Sequence, residues 1–322
     1  MPATDALRRP RLSVDGALLL ATATCVGVAV ATPLLRRRLR IPASVTVAAC
    51  ASGPLGVAAL QPPSRRRDVA TFALQMWAFA MAHELPYDDP ARLRRRLLVD
   101  YPIAIDRALG RGTLPAVRLQ RALARRERVA SVDRALSWVH WLWFFEPYAA
   151  LALILIRHGD RFPRAAGRLA TTFDLGCALY FLVPTAPPWW SSEQGLSGEE
   201  VRRIMTGVGE ETWGQAWPAM YRAVGDGNPW AAMPSLHFAA ALMVAVLLAE
   251  IGPVAGALGW GYALALGFAL VYLGEHYLTD LVGGALLVAA VCLCERLLPR
   301  AAPSSASIAR RAARTCSATS SV

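Results

Sequence analysis

His276 and Asp280 stand four residues apart in "GEHYLTD". On a helix this spacing puts both side chains on one face, with about 5–6 Å between Cβ atoms. A carboxylate there can accept from one imidazole nitrogen, which leaves the other oriented and more nucleophilic. A second histidine, His237, stands in "MPSLHFAAAL", at the mouth of an apolar run from Phe238 to Leu248. Such a helix has no packing use for an imidazole, whereas a reaction can use one to hand a proton to a leaving group. Nucleophile, orienting carboxylate and proton donor are the parts of a group-transfer site.

The same residue types have plainer uses. Asp280, in "TD" before "LVGGALL", suits the N-cap of a helix. "VPTAPPWW" (183–190) reads as a helix stop followed by an interfacial aromatic anchor. His83, His140 and His158 each read as histidines at the membrane interface. His237, His276 and Asp280 would also make a two-histidine, one-carboxylate metal set; that alternative is set aside, and neither metal nor cofactor is expected.

The elements that must position these residues are membrane helices. Of 322 residues 55% are hydrophobic, and the mean hydropathy is +0.35, above an ordinary soluble domain. Apolar runs at 16–35, 43–60, 68–84, 136–156, 167–186, 236–251, 254–274 and 279–297 approach the ~20 residues a helix needs to cross a bilayer. The run at Gly16–Leu35 ends in "RRRLR" and reads as a retained anchor rather than a signal peptide. All 34 basic residues are arginines, and the net charge is +11. They cluster at the ends of apolar runs, where they orient helices against anionic headgroups. No module that would read nucleic acid accompanies them. The six cysteines lie mostly inside apolar runs and read as small hydrophobes.

Four regions follow: N-terminal transmembrane helices (1–85), a basic amphipathic or interfacial segment (86–134), a catalytic membrane core (135–298) and a disordered basic tail (299–322). Basic counts around the last spans put the C-terminus in the cytoplasm and 186–235 on the outer face. Two antiparallel spans joined at "IGPVAG" return the chain to its starting face, so His237 and His276 are expected at one depth. Polar residues at that depth are costly and point to function, here chemistry on a lipid headgroup.

"PSLH" and "GEHYLTD" resemble the second and third motifs of the type 2 phosphatidic acid phosphatase (PAP2) superfamily, P-S-x-H and H-x-x-x-D. With "PTAPPWW" upstream, the chain looks most like the branch that contains inositol phosphorylceramide synthase, over roughly 170–297. The resemblance implies an all-α polytopic fold, a six-helix core with extra N-terminal helices, and no cofactor. It implies His276 as the nucleophile that carries the phosphoryl group, Asp280 as its orienting partner and His237 as the general acid. Ser235 matches a phosphate-contacting position at a helix start. A lipid phosphate or phosphodiester is the implied substrate, with water or a polyol such as inositol as acceptor. The active site is expected on the extracytoplasmic face of a bacterial-type plasma membrane. A non-catalytic relative, a lipid transporter or scaffold, is the alternative. Two features depart from the pattern: the sequence has no lysine for the first motif, and Leu270 stands where the third motif has arginine. Arg222, Arg202 and Arg203 are the substituted phosphate grips, and Trp189 joins them as a substrate-binding residue.

Overall fold

The computed structural model describes residues 14–125, 128–220 and 228–297. Arg222 and the tail expected at 299–322 lie outside the described residues. Those described are overwhelmingly helical, with two isolated β-bridges and no named strand. Helices α1 (Val14–Leu39) and α2 (Ala43–Leu60) form an N-terminal hairpin, and α3 (Arg65–Glu84) packs on it. The short helices α4 (Pro90–Arg94), α5 (Asp100–Leu109) and α6 (Pro115–Leu123) follow. The rest comprises α7 (Ser131–Leu142), α8 (Glu146–Arg157), α9 (Phe162–Leu182), α10 (Pro188–Glu193), α11 (Ile204–Trp213), α12 (Leu236–Ile251), α13 (Pro253–Tyr272) and α14 (Leu278–Leu297).

The centre is α12, whose Ala239, Ala240, Ala241, Met243, Val244 and Ala245 are fully buried. A helix apolar on every side is an interior one, and α12 packs on α8, α9, α13 and α14. Gly252 ends it and Pro253 begins α13, where the missing proline N–H costs nothing. Close packing of this hairpin depends on small residues. A Cβ at Gly256 would lie 2.8 Å from Ala249 Cα, and one at Gly259 2.9 Å from Ala245 Cα.

Among the described residues four helices have the length and composition to cross a membrane: α1 (from Asp15), α2, α13 and α14. The run expected as one span at 136–156 is instead α7 and α8, bent by 49°. The break falls at Trp143–Phe145, just before Pro147, which cannot continue the hydrogen-bond ladder. The expected spans at 68–84 and 167–186 correspond to α3 and α9, which carry arginine and aspartate within them.

Where α9, α12 and α14 meet at one face, four charges tie them together. Arg164 bonds Glu250 (3.0 Å) and Glu295 (2.6 Å), and Arg168 pairs with Glu250 (2.7 Å) and Glu295. At the other face, α5 and α6 join the core: Ile103, Leu114, Ala116 and Val117 pack with Ala241, Leu266, Leu270 and Leu281. The arginines of this stretch stay largely outside, and its apolar residues divide between the core and the surface, where Leu98, Ile105, Leu109 and Leu123 are exposed.

Candidate active site

Three chain segments converge at the face bearing α5 and α6. The first follows α9, where Thr185 N donates to Trp230 O (3.0 Å) and Thr185 O accepts from Ala232 N (3.2 Å). These bonds lay "PTAPPWW" beside "WAAMPS". The second is the start of α12: Ser235 Oγ accepts from Phe238 N at 3.3 Å, so its hydroxyl caps the helix. The third is the loop between α13 and α14. Gly274 there has φ +80°, and a Cβ on it would lie 2.7 Å from Arg202 O, so a side chain fits neither the backbone nor the space.

That loop delivers the pair anticipated from spacing. His276 Nδ1 lies 3.3 Å from Asp280 Oδ2, which also accepts from Tyr277 N at 2.8 Å. The other ring nitrogen, Nε2, lies 3.2 Å from His237 Nδ1. A carboxylate only accepts, so His276 Nδ1 carries the proton facing Asp280. Its Nε2 then bears the lone pair, and His237 Nδ1 is the donor across the 3.2 Å contact. Ser235 N donates to Asp280 O (3.0 Å), which locks the two motifs through the backbone. Asp280 is not the N-cap expected of it: it lies in the first turn of α14 and accepts back from Tyr277 N, while the first helical N–H groups go to another carboxylate. Asp106 of α5, buried, accepts from Leu278 N (2.8 Å), Thr279 N (2.9 Å) and Thr279 Oγ1 (2.5 Å).

His237 and Glu275 line a cavity of about 420 Å³ whose remaining wall is mainly aromatic, with Trp138, Trp141, Trp213 and Trp217 on α7 and the α11 side and Met205 and Met220 beside them. The ring of Trp143 is 4.4 Å from that of His237. His140 is buried, not interfacial as expected: its ring lies 5.0 Å from His237, and it faces the same cavity. Its position three residues before Trp143 on the α7 face was the available signal. His83 packs between Phe79 and Tyr180, away from the cavity.

A family comparison can now be set beside this geometry: the PAP2 superfamily model matches residues 103–294. The chain belongs to the PAP2 superfamily. Its phosphatases act on phosphorylated substrates, so a phosphatase or phosphotransferase type of activity on lipid phosphates is the family's implication. The matched region begins within α5 and so includes Asp106 and the α6 residue Gln120. No curated protein and no solved structure matches the chain.

Within this PAP2 chain the expected grips part company. Arg203 Nε and Nη2 bond Glu275 at 2.9 and 3.2 Å, and its guanidinium lies 4.0 Å over the Trp189 ring. Trp189 N in turn donates to Gly274 O (3.1 Å). Trp189, Arg203 and Glu275 thus form a stack ending beside His276. Burial opposes ionisation of Glu275, yet the adjacent Arg203 and the two nearby histidines hold its carboxyl below the ordinary value. Arg202 does not join them. Its Nη1 donates to Arg125 O (2.9 Å), and Gln120 clamps its backbone by bonding Arg202 O, Arg202 N and Tyr272 O. Glu275, directly before His276, has no local signal in the sequence, because its partner Arg203 lies 72 residues earlier.

Proposed function

We propose that this protein moves a phosphoryl group from a lipid phosphate or phosphodiester through a phosphohistidine on His276. The observation that carries this is the Asp280–His276–His237 relay, with its carboxylate at Nδ1 and its second imidazole at Nε2. In the first step the Nε2 lone pair attacks phosphorus, the P–O bond to the leaving alcohol breaks, and His237 gives that oxygen a proton. In the second, an acceptor hydroxyl attacks phosphorus, the P–N bond breaks, and its proton returns to His237.

Arg203 is the described cation that supports a phosphate-gripping role, because it sits with Trp189 and Glu275 next to His276. Charge developing on a transferring phosphoryl group needs such a partner. Ser235 marks the α12 start, where the helix N-terminus favours an anion. The aromatic cavity accepts the apolar part of a lipid, and its tryptophans suit a membrane–water boundary. The site opens on the extracytoplasmic face in this reading, which rests on the basic residues around the last spans and runs against the arginines of the 86–134 stretch on the site's own face. The proline-rich "PTAPPWW" segment supports the inositol phosphorylceramide synthase-like branch, with inositol as acceptor.

Purified protein incubated with labelled lipid phosphates and phosphoinositides should release phosphate or transfer it, and His276→Ala should abolish both. Undiminished turnover in that variant would sink the mechanism. Running the assay with and without inositol separates transferase from phosphatase.

A further inference from the structure

A second groove of about 530 Å³ lies on the membrane-facing side of α13 and shares no lining residue with the aromatic cavity. Phe238, Leu264, Phe268, Leu278 and Leu281 form its apolar surface. Leu264 and Phe268 are exposed, and the groove runs from Val271 to Leu264, about 10 Å along the helix axis at 1.5 Å per residue. Gly267 keeps its floor low, since a Cβ there would lie 2.9 Å from the Phe238 ring and 3.2 Å from Leu281.

The rim is basic. Arg111 and Arg118 stand at one end, on the face to which Asp106 draws the start of α14. Arg118 Nη2 reaches Arg111 O at 3.4 Å, and among the described residues neither guanidinium has a carboxylate partner. Arg111 also occupies an unusual backbone position. It lies between Gly110 and Gly112 with φ +53°, a left-handed conformation that glycine adopts at less cost. The turn itself accounts for it: Gly112 N donates to Arg107 O at 2.8 Å, closing the C-terminus of α5 through a left-handed residue, and Arg111 is thereby placed at the groove.

We propose that this groove binds one anionic phospholipid, with its phosphate on Arg111 and Arg118 and an acyl chain along α13. Charge complementarity selects the headgroup, and the exposed aliphatic and aromatic floor selects a lipid over a free phosphate. Phe238 follows His237 and Leu281 follows Asp280, so the bound lipid braces α12 and α14 from behind the two motifs.

The test reads binding without turnover, and so stands apart from the phosphoryl-transfer proposal. The full chain is placed in nanodiscs of phosphatidylcholine alone, or of equal parts phosphatidylcholine and phosphatidylglycerol, and retained lipid is counted by native mass spectrometry. The wild type should retain phosphatidylglycerol selectively. Arg111→Gln with Arg118→Gln should weaken that retention about tenfold. Leu264→Trp, which fills the groove while keeping both arginines, should weaken it comparably. Equal retention of the two lipids by the wild type would overturn the proposal. So would unchanged phosphatidylglycerol retention in either variant.

Discussion

The two ends of the α9–α12–α14 bundle handle polar groups in opposite ways. At one end Arg164 and Arg168 face Glu250 and Glu295, and each charge has an opposite charge to satisfy it. At the other, His237 and Glu275 open onto a cavity, and His140 stands among them with its Nδ1 lacking a partner among the described residues. Ion pairs that close on one another fix helices together. Polar groups left facing a cavity are arranged for something that enters it. The same bundle is therefore clamped at one face and chemically available at the other.

Three substitutions would break or sharpen that contrast. Asp280→Asn should have the largest effect, cutting kcat by about 10³ through loss of the His276 tautomer, with the helix still capped by Asp106. Steady-state kinetics checks it, and a fall of less than tenfold would show that Asp280 is dispensable. Arg203→Gln should lower kcat/KM about tenfold to a hundredfold, with Arg203→Lys restoring only part because a lysine lacks the bidentate fork to Glu275. At the clamped end Arg168→Gln should leave kcat per folded molecule unchanged while costing about 1–2 kcal/mol, since both glutamates are about a third exposed. Thermal unfolding in detergent reads that loss. If activity fell before stability did, the two ends would not be separable.

Much of the transfer half was legible because it rests on local spacing. The i, i+4 spacing of His276 and Asp280 anticipated the pair, although His276 lies in the loop two residues before α14 and not on the helix with Asp280, and one helical hairpin sets His237 at the same depth. The α12 and α13 boundaries were legible for the same reason, being apolar runs closed by glycine and proline. What stayed hidden depends on long-range contact. Arg203 and Arg202 are adjacent in sequence and alike in type, yet Gln120 clamps the Arg202 backbone and only Arg203 turns to Glu275. Nothing local distinguishes them. The bend between α7 and α8 carried a local mark in Glu146 and Pro147, but the long apolar stretches on either side read as one straight span. The buried place of His140 had only nearby Trp143 as a local signal, because its burial is set by α11 and α13 packed on α7.

Asp106 has a consequence for when the site comes into being. It lies 172 residues ahead of Leu278, whose N–H it accepts at 2.8 Å. The start of α14, and with it the register of His276 on Asp280, is set by a side chain made long before. During synthesis the last two membrane crossings must be in place before that carboxylate finds its donors. A chain stopped short of α14 would hold His237 but no His276–Asp280 pair, so the arrangement of two histidines and a carboxylate exists only once the last crossing is made.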